Sequence, residues 1–305
     1  MASPIRILLQ TTIPTTEDDW SIARFSLLRG YLSSLQNEVG EPLCEVVARD
    51  RESNANGDDP VLSTLHESDF DQLWLFAVDA GDGISEADCI GISNFRRRGG
   101  GMMVTRDHMD LGCSVCSLAG VGDAHYFHTK NLDPDSSRHQ IDDPYTSDIL
   151  WPNYHSGSNG DCQVITPLQP IHDLLRHPNS PTGRIQFFPA HPHEGAVGVP
   201  PNNPKARVVA TGTSKVTGRT FNLAVAFERE LDEQGNELGR AVAESTFHHF
   251  CDYNWDASMG CPSFVDEPPG NTMQTEPQAL LDLKAYLRNL AVWLAPAYEL
   301  GEVSR

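Results

Sequence analysis

The chain has 305 residues, 39% of them hydrophobic and 21% charged, enough for one large α/β domain or two ordinary ones. A formal net charge of −20 at pH 7 argues against nucleic acid and anionic membrane surfaces as partners, because both select clustered Lys and Arg. Seven cysteines without dense spacing fit reduced thiols better than a disulfide framework. No segment reaches the roughly 18 apolar residues of a transmembrane helix. Met1 to Thr12 lacks the basic start and long apolar run of a signal peptide, so a cytoplasmic location is expected.

In chain order, Ile5 to Leu9 reads as a buried first strand. Thr16 and Asp19 have capping-box spacing, and Trp20, Ala23, Leu27, Leu28, Tyr31 and Leu35 follow at helical intervals, which predicts a helix starting near Thr16. Leu43 to Ala48 and Leu73 to Val78 are further strands. Ser85 with Asp88 opens a second helix, which ends in Arg96-Arg97-Arg98 before Gly99; the cations suit the negative helix end and the glycine suits its C-cap. The run Met102 to Thr105 follows. This alternation predicts a mostly parallel, doubly wound sheet.

From about residue 120 to 183 the periodicity dissolves into Pro, Asp, Ser, Asn and His. Such a stretch is expected to form an irregular insertion over the sheet edge, anchored by Trp151 and Tyr154, with Asn153 and Asn159 among its turn residues. Ile185 to Phe188, Arg207 to Thr211 and Phe221 to Phe227 are β runs, and the acidic turn 232–236 joins the last of them to Arg240–Thr246 as an antiparallel hairpin. A helix over 276–295 is expected to start at a Thr275/Gln278 capping box and to bury Leu280, Leu283, Leu287, Leu290 and Leu294. Residues 1–305 read as a single domain.

Three clusters carry chemistry. Arg106-Asp107-His108 and Asp110 follow the Met102–Thr105 strand; His191, His193 and Glu194 follow Ile185–Phe188; His248 and His249 follow Arg240–Thr246. Carboxyl ends of parallel strands share one edge, where ligands bind in open α/β sheets, so the clusters are expected to form one site. His248 and His249, adjacent in an extended segment, should face opposite ways. Cys113 and Cys116 form a lone CxxC, read as two buried thiols. The chain has no HExxH, no GxGxxG after a strand, no P-loop and no GxSxG elbow, so no cofactor or metal is expected.

At these residues the chain resembles the ThuA-like (trehalose-utilisation) group of the class I glutamine amidotransferase-like superfamily, over roughly residues 4 to 256. The resemblance rests on the strand Leu73–Val78, the Gly99-Gly100-Gly101 strand entry, the His191-Pro192 strand end and His248-His249. His191, Pro192 and Glu194 are similar to the family's His-Pro-Glu motif, with His193 inserted. The resemblance implies a flavodoxin-like three-layer fold with the site at the carboxyl edge, and a link to carbohydrate metabolism. Amidotransferases place a cysteine nucleophile on the turn that here reads Thr105-Arg106-Asp107-His108. Without it the thioester route to glutamine hydrolysis is closed.

The expected function is acid–base chemistry on a small, carbohydrate-related molecule. Asp107 or His108 would contact the reacting group, His191 would act as general acid or base oriented by Glu194, and His248 or His249 would complete the pocket. Arg106, Asp110, His193 and His248 are the expected substrate-binding residues. Two alternatives stay open: a non-catalytic member that binds a ligand or partner, and a metal-dependent hydrolase built from the same residues. A small molecule is the expected partner, and self-association also stays open.

Overall fold

The strand Ile5–Thr11 sends Ile7 and Leu9 to one side and Leu8 to the other, all of them buried, so its sheet must be covered on both faces. The computed structural model describes residues 3–296 apart from 119, 144, 145, 147, 202 and 233. Glu233 of the acidic turn and the two ends of the expected 1–305 domain thus lie outside the described residues.

Eight strands form the main sheet: β1 (Ile5–Thr11), β2 (Cys44–Arg49), β3 (Gln72–Phe76), β4 (Gly101–Thr105), β5 (Thr166–Pro167), β6 (Ala206–Thr213), β7 (Thr220–Phe227) and β8 (Ala241–Glu244). Their order is β2-β1-β3-β4-β8-β7-β6-β5. The first five run parallel, and β7, β6 and β5 continue antiparallel. β7 and β8 form the expected hairpin, and β8 lies parallel to β4, Ala243 opposite Val104. The loops after β4 and β8 therefore leave the same edge side by side.

One face carries Ile7, Leu9, Trp74, Phe76, Met103 and Val242 and is covered by helices α1 (Ser26–Ser34) and α3 (Ala279–Leu294). The other carries Leu8, Leu73, Leu75, Met102 and Val104 under α2 (Glu86–Arg97). In α3 the residues Leu283, Leu287, Leu290 and Leu294 are fully buried, each contributing about 1.5–3 kcal/mol. Leu280 is only partly buried, at the margin of the stripe. The Gly-rich entry to β4 has a packing cause: a Cβ on Gly101 would lie 2.2 Å from the Leu294 carbonyl oxygen.

The capping box of α2 is present. Ser85 Oγ accepts from the Asp88 amide and the Asp88 carboxylate from the Ser85 amide, each at 3.1 Å. Two other helix starts differ from expectation. Thr16 bonds to the Pro14 carbonyl, and α1 begins at Ser26 because Asp252 caps it, accepting from the Ser26 and Leu27 amides at 3.0 and 2.8 Å. Gln278 makes no side-chain cap on α3, and Asp282 in its first turn instead accepts from the Gln186 and Phe187 amides.

Among its described residues the 120–183 stretch holds one-turn helices and strands of two or three residues. Trp151 and Tyr154 anchor it, both buried, with Tyr154 stacked on Phe221 at 4.6 Å. Phe187–Pro189 is not part of the main sheet; it pairs with Cys162–Val164 in a two-stranded ribbon. No helix among the described residues is long and apolar enough to cross a membrane.

Candidate functional site

Where β4 ends, the chain turns over His108–Leu111, with Met109 at φ 47° and the Leu111 amide returning to the His108 carbonyl. Arg106 and Asp107 leave this turn in opposite directions. The Arg106 guanidinium packs 4.0 Å over Phe127 and donates to the Tyr126 and Ala196 carbonyls. Burial draws its pKa down to about 9 against the pull of Asp107. Arg106 is therefore a strut that ties the turn to two neighbouring loops, in place of its expected part in substrate binding. Asp110 does not reach the cavity either: its carboxylate clamps Thr129 through the amide at 2.9 Å and the hydroxyl at 2.8 Å.

Asp107 is the centre of the site. Its carboxylate lies 3.4 Å from His191 Nε2, 3.8 Å from His248 Nε2 and 3.7 Å from His108 Nε2. Burial opposes its charge, but the surrounding imidazoles, His108 foremost, hold it well below the usual carboxylate range. The His191 and His248 rings stack at 3.6 Å, 12° from parallel. Two cations at that spacing would repel by about 5 kcal/mol at an effective dielectric near 20, so the pair does not carry two charges. Burial and the facing His248 ring push the His191 pKa well below the ordinary imidazole range.

The ring orientations follow from one buried carbonyl. Asn254 Nδ2 lies 2.8 Å from the Ala190 carbonyl oxygen and 2.9 Å from Asn159 Oδ1. The carbonyl only accepts, which fixes the Asn254 nitrogen and hence both amide oxygens. Those oxygens face His191 Nδ1 at 2.9 Å (Asn159) and His248 Nδ1 at 3.0 Å (Asn254). Both Nδ1 atoms must therefore donate, and both Nε2 atoms turn to Asp107.

Around this centre a cavity of about 470 Å³ is lined by Asp107, His108, His191, His193 and His248, with Trp20 and Asn159. Thr146, Asp148 and Ile149 of the insertion form one wall, and Phe264, Asp266 and Glu267 another. His193 is held at both nitrogens, by Glu267 at 2.6 Å and Asn153 at 3.0 Å. His108 is partly exposed, and burial lowers its pKa against the opposing charge of Asp107.

Two expected members lie elsewhere. Glu194 does not orient His191. Its oxygens accept from Ser156 and Ser245, each at 2.7 Å, and from Gln163, and face His249 Nε2 at 3.4 Å. Its link to His191 is indirect, through Ser156, whose hydroxyl also accepts from the His191 amide at 2.9 Å. His249 points into the α3-side core, between Glu194 and Glu244 and against Phe188. Burial opposes its charge, yet the two carboxylates raise its pKa to about 9. Tyr286 donates to Glu244 and completes this buried network. The adjacent histidines do face opposite ways, His248 into the cavity and His249 into the core.

The site contains residues the sequence did not single out. Asn153 and Asn159, expected as turn residues, are buried acceptors for His193 and His191. Trp20 reads only as part of a helical apolar pattern, and Asn254 and Glu267 carry no pattern of their own. The thiol of Cys251 lies close to the centre, its Sγ 3.7 Å from His248 Nδ1, but burial raises its pKa far above the ordinary thiol value and keeps it protonated. Among the described residues, Asp107, His191 and His248 form the group able to hold a metal ion, with their ligand atoms within 4.8 Å of one another.

No protein-family model matches the chain, and no curated protein matches it. Solved structures do. A ThuA-like protein from Parabacteroides merdae aligns at 14% identity over 99% of this chain and 92% of that one, with a TM-score of 0.51. A cytoplasmic protein from Salmonella typhimurium aligns at 10% identity over 95% and 99%, with a TM-score of 0.47. The glutaminase domain of Trypanosoma brucei CTPS aligns at 12% identity over 97% and 98%, with a TM-score of 0.42. The chain thus has the α/β fold of a ThuA-like protein, with its histidine–aspartate cluster at the carboxyl edge of the sheet.

Proposed function

We propose that the chain is a single-domain enzyme of ThuA-like type, acting on a small, hydroxyl-bearing, carbohydrate-related molecule by acid–base chemistry without a cysteine nucleophile. The observation that supports it is the convergence of Asp107, His191 and His248 in one cavity with His108 and His193 at its walls. Asp107 stands on the turn where an amidotransferase carries its thiol, and a carboxylate there favours handling protons or positive charge over acyl transfer. His108, its pKa lowered by burial and its ring open to the cavity, is placed to exchange a proton with a substrate hydroxyl. The acidic wall residues Asp19, Asp148, Asp266 and Glu267 disfavour phosphorylated substrates.

The test is turnover of a panel of neutral sugars, sugar acids and polyols, followed by mass spectrometry, with Asp107→Asn and His108→Asn beside the wild type. Turnover that Asp107→Asn abolishes without loss of thermal stability is the expected result. Turnover that survives both substitutions would place the chemistry elsewhere, and tight binding without conversion would favour the non-catalytic alternative.

A further inference from the structure

The two site histidines present the same atom to the same carboxylate. Each donates Nδ1–H to a buried amide oxygen, His191 to Asn159 and His248 to Asn254, and the pattern is fixed by the Ala190 carbonyl. A neutral ring protonated at Nδ1 carries its lone pair on Nε2. The two lone pairs therefore point at Asp107 oxygens, at 3.4 and 3.8 Å. His191 Nε2 is buried and without a hydrogen-bond donor. Acceptors facing acceptors are unfavourable unless a donor or a cation lies between them, and the cavity these residues line leaves room for one.

We propose that Asp107, His191 and His248 are the ligands of a divalent transition-metal ion. This rests on the catalytic reading of the same cavity and names its cofactor, contrary to the expectation of none from the sequence. Two imidazole nitrogens and one carboxylate form a donor set that suits zinc, manganese or ferrous iron. The two imidazole nitrogens lie 3.4 and 3.8 Å from different oxygens of Asp107, and one ligand atom from each residue falls within 4.8 Å of the others, so a small inward shift brings them to about 2.0–2.2 Å from one centre. The Nδ1–H to amide-oxygen bonds are the outer contacts that metal-bound histidines require for their tautomer and orientation. The rest of the coordination sphere would face the cavity that these three residues line. His108, third imidazole on Asp107, lies outside the triad because it lacks an orienting amide; it is left to move protons.

The experiment is titration of chelator-treated, refolded-free protein with Zn²⁺, Mn²⁺ and, anaerobically, Fe²⁺, read by calorimetry and elemental analysis, with Mg²⁺ as the oxygen-preferring control. One equivalent of at least one transition ion is expected, with Mg²⁺ binding far more weakly. Asp107→Ala should abolish the binding, and Asn254→Ala should weaken it 10–100-fold. Because a variant can lose its fold, Co²⁺ is also added to the wild type. Visible ligand-field bands and paramagnetic shifts of two imidazole Nδ1–H protons are expected. No stoichiometric uptake of any of these ions by the wild type, or uptake unchanged in a folded Asp107→Ala, would overturn the proposal. Turnover lost in Asp107→Asn with no metal uptake would remove the metal and leave the catalytic reading; metal uptake without turnover would do the reverse.

Discussion

His191 and His248 lie ring on ring, 3.6 Å apart, and are locked from behind by a shared amide pair, Asn159 and Asn254, that bond each other at 2.9 Å. Each ring is held by its own Nδ1 bond to one of the two linked amides, so the pair presents one ordered face toward Asp107. Such preorganisation is what a reactive centre needs.

This chain is predicted not to hydrolyse glutamine. The turn after β4 has no thiol, and burial raises the pKa of Cys113 and brings Cys116 to about 11. An ammonia-release assay with glutamine should read background for the wild type and for Cys113→Ala, Cys116→Ala and Cys251→Ala alike. Ammonia release that one of these substitutions removes would refute the mechanism.

His125 makes the protein acid-sensitive. It is fully buried, and neither ring nitrogen has a hydrogen-bond partner among the described residues. Burial, helped by Arg106, lowers its pKa to about 3. The unfolded chain takes up this proton near pH 6.5 and the folded one only near 3. This contribution therefore falls as pH drops below about 6.5, by up to about 1.4 kcal/mol per pH unit. Denaturant unfolding from pH 7 to 4 should show a shallower loss in His125→Phe than in the wild type; parallel profiles would contradict it.

Asp252 should be worth about 2–3 kcal/mol to the fold. Its carboxylate takes the Ser26 hydroxyl at 2.6 Å as well as the two amides at the start of α1. Asp252→Ala is expected to lower the urea midpoint accordingly, with Asp252→Asn recovering part of the loss. A change below about 0.5 kcal/mol in the alanine variant would show that the cap is not limiting.

His249 is predicted to serve the core. Removing the imidazole between Glu194 and Glu244 leaves two buried carboxylates without their shared partner, a loss of about 3–5 kcal/mol. His249→Phe, measured by thermal and denaturant unfolding, should be among the most destabilising single changes in the chain. A near-neutral result would return His249 to the list of candidates for catalysis.

The strands were legible because their apolar runs are unbroken: Leu73 to Phe76 could be little else than a buried strand, and Ser85/Asp88 announced α2 through contacts three residues apart. The clusters at 107–108, 191–193 and 248 were also visible, as polar residues stacked at strand ends. Local pattern fails where the partner is remote. Asp252 displaced the Thr16 cap from the far end of the chain, Glu194 was drawn to Ser245 and His249 rather than to nearby His191, and Asn159 looked like a turn residue because its acceptor role depends on Asn254. Phe187–Pro189 had the composition of a sheet strand but found its partner in Cys162–Val164.

The place of β8 bears on how the protein is made. This strand, synthesised after both of its neighbours, is inserted between β4 and β7, and His248 follows it closely. Until the ribosome has delivered it, β4 and β7 each keep an unpaired edge and open backbone groups. Any pairing of β4 and β7 with their other neighbours before that point leaves two exposed sheet edges, the kind of surface that chaperones shield, and the histidine cluster is complete only once β8 is in place.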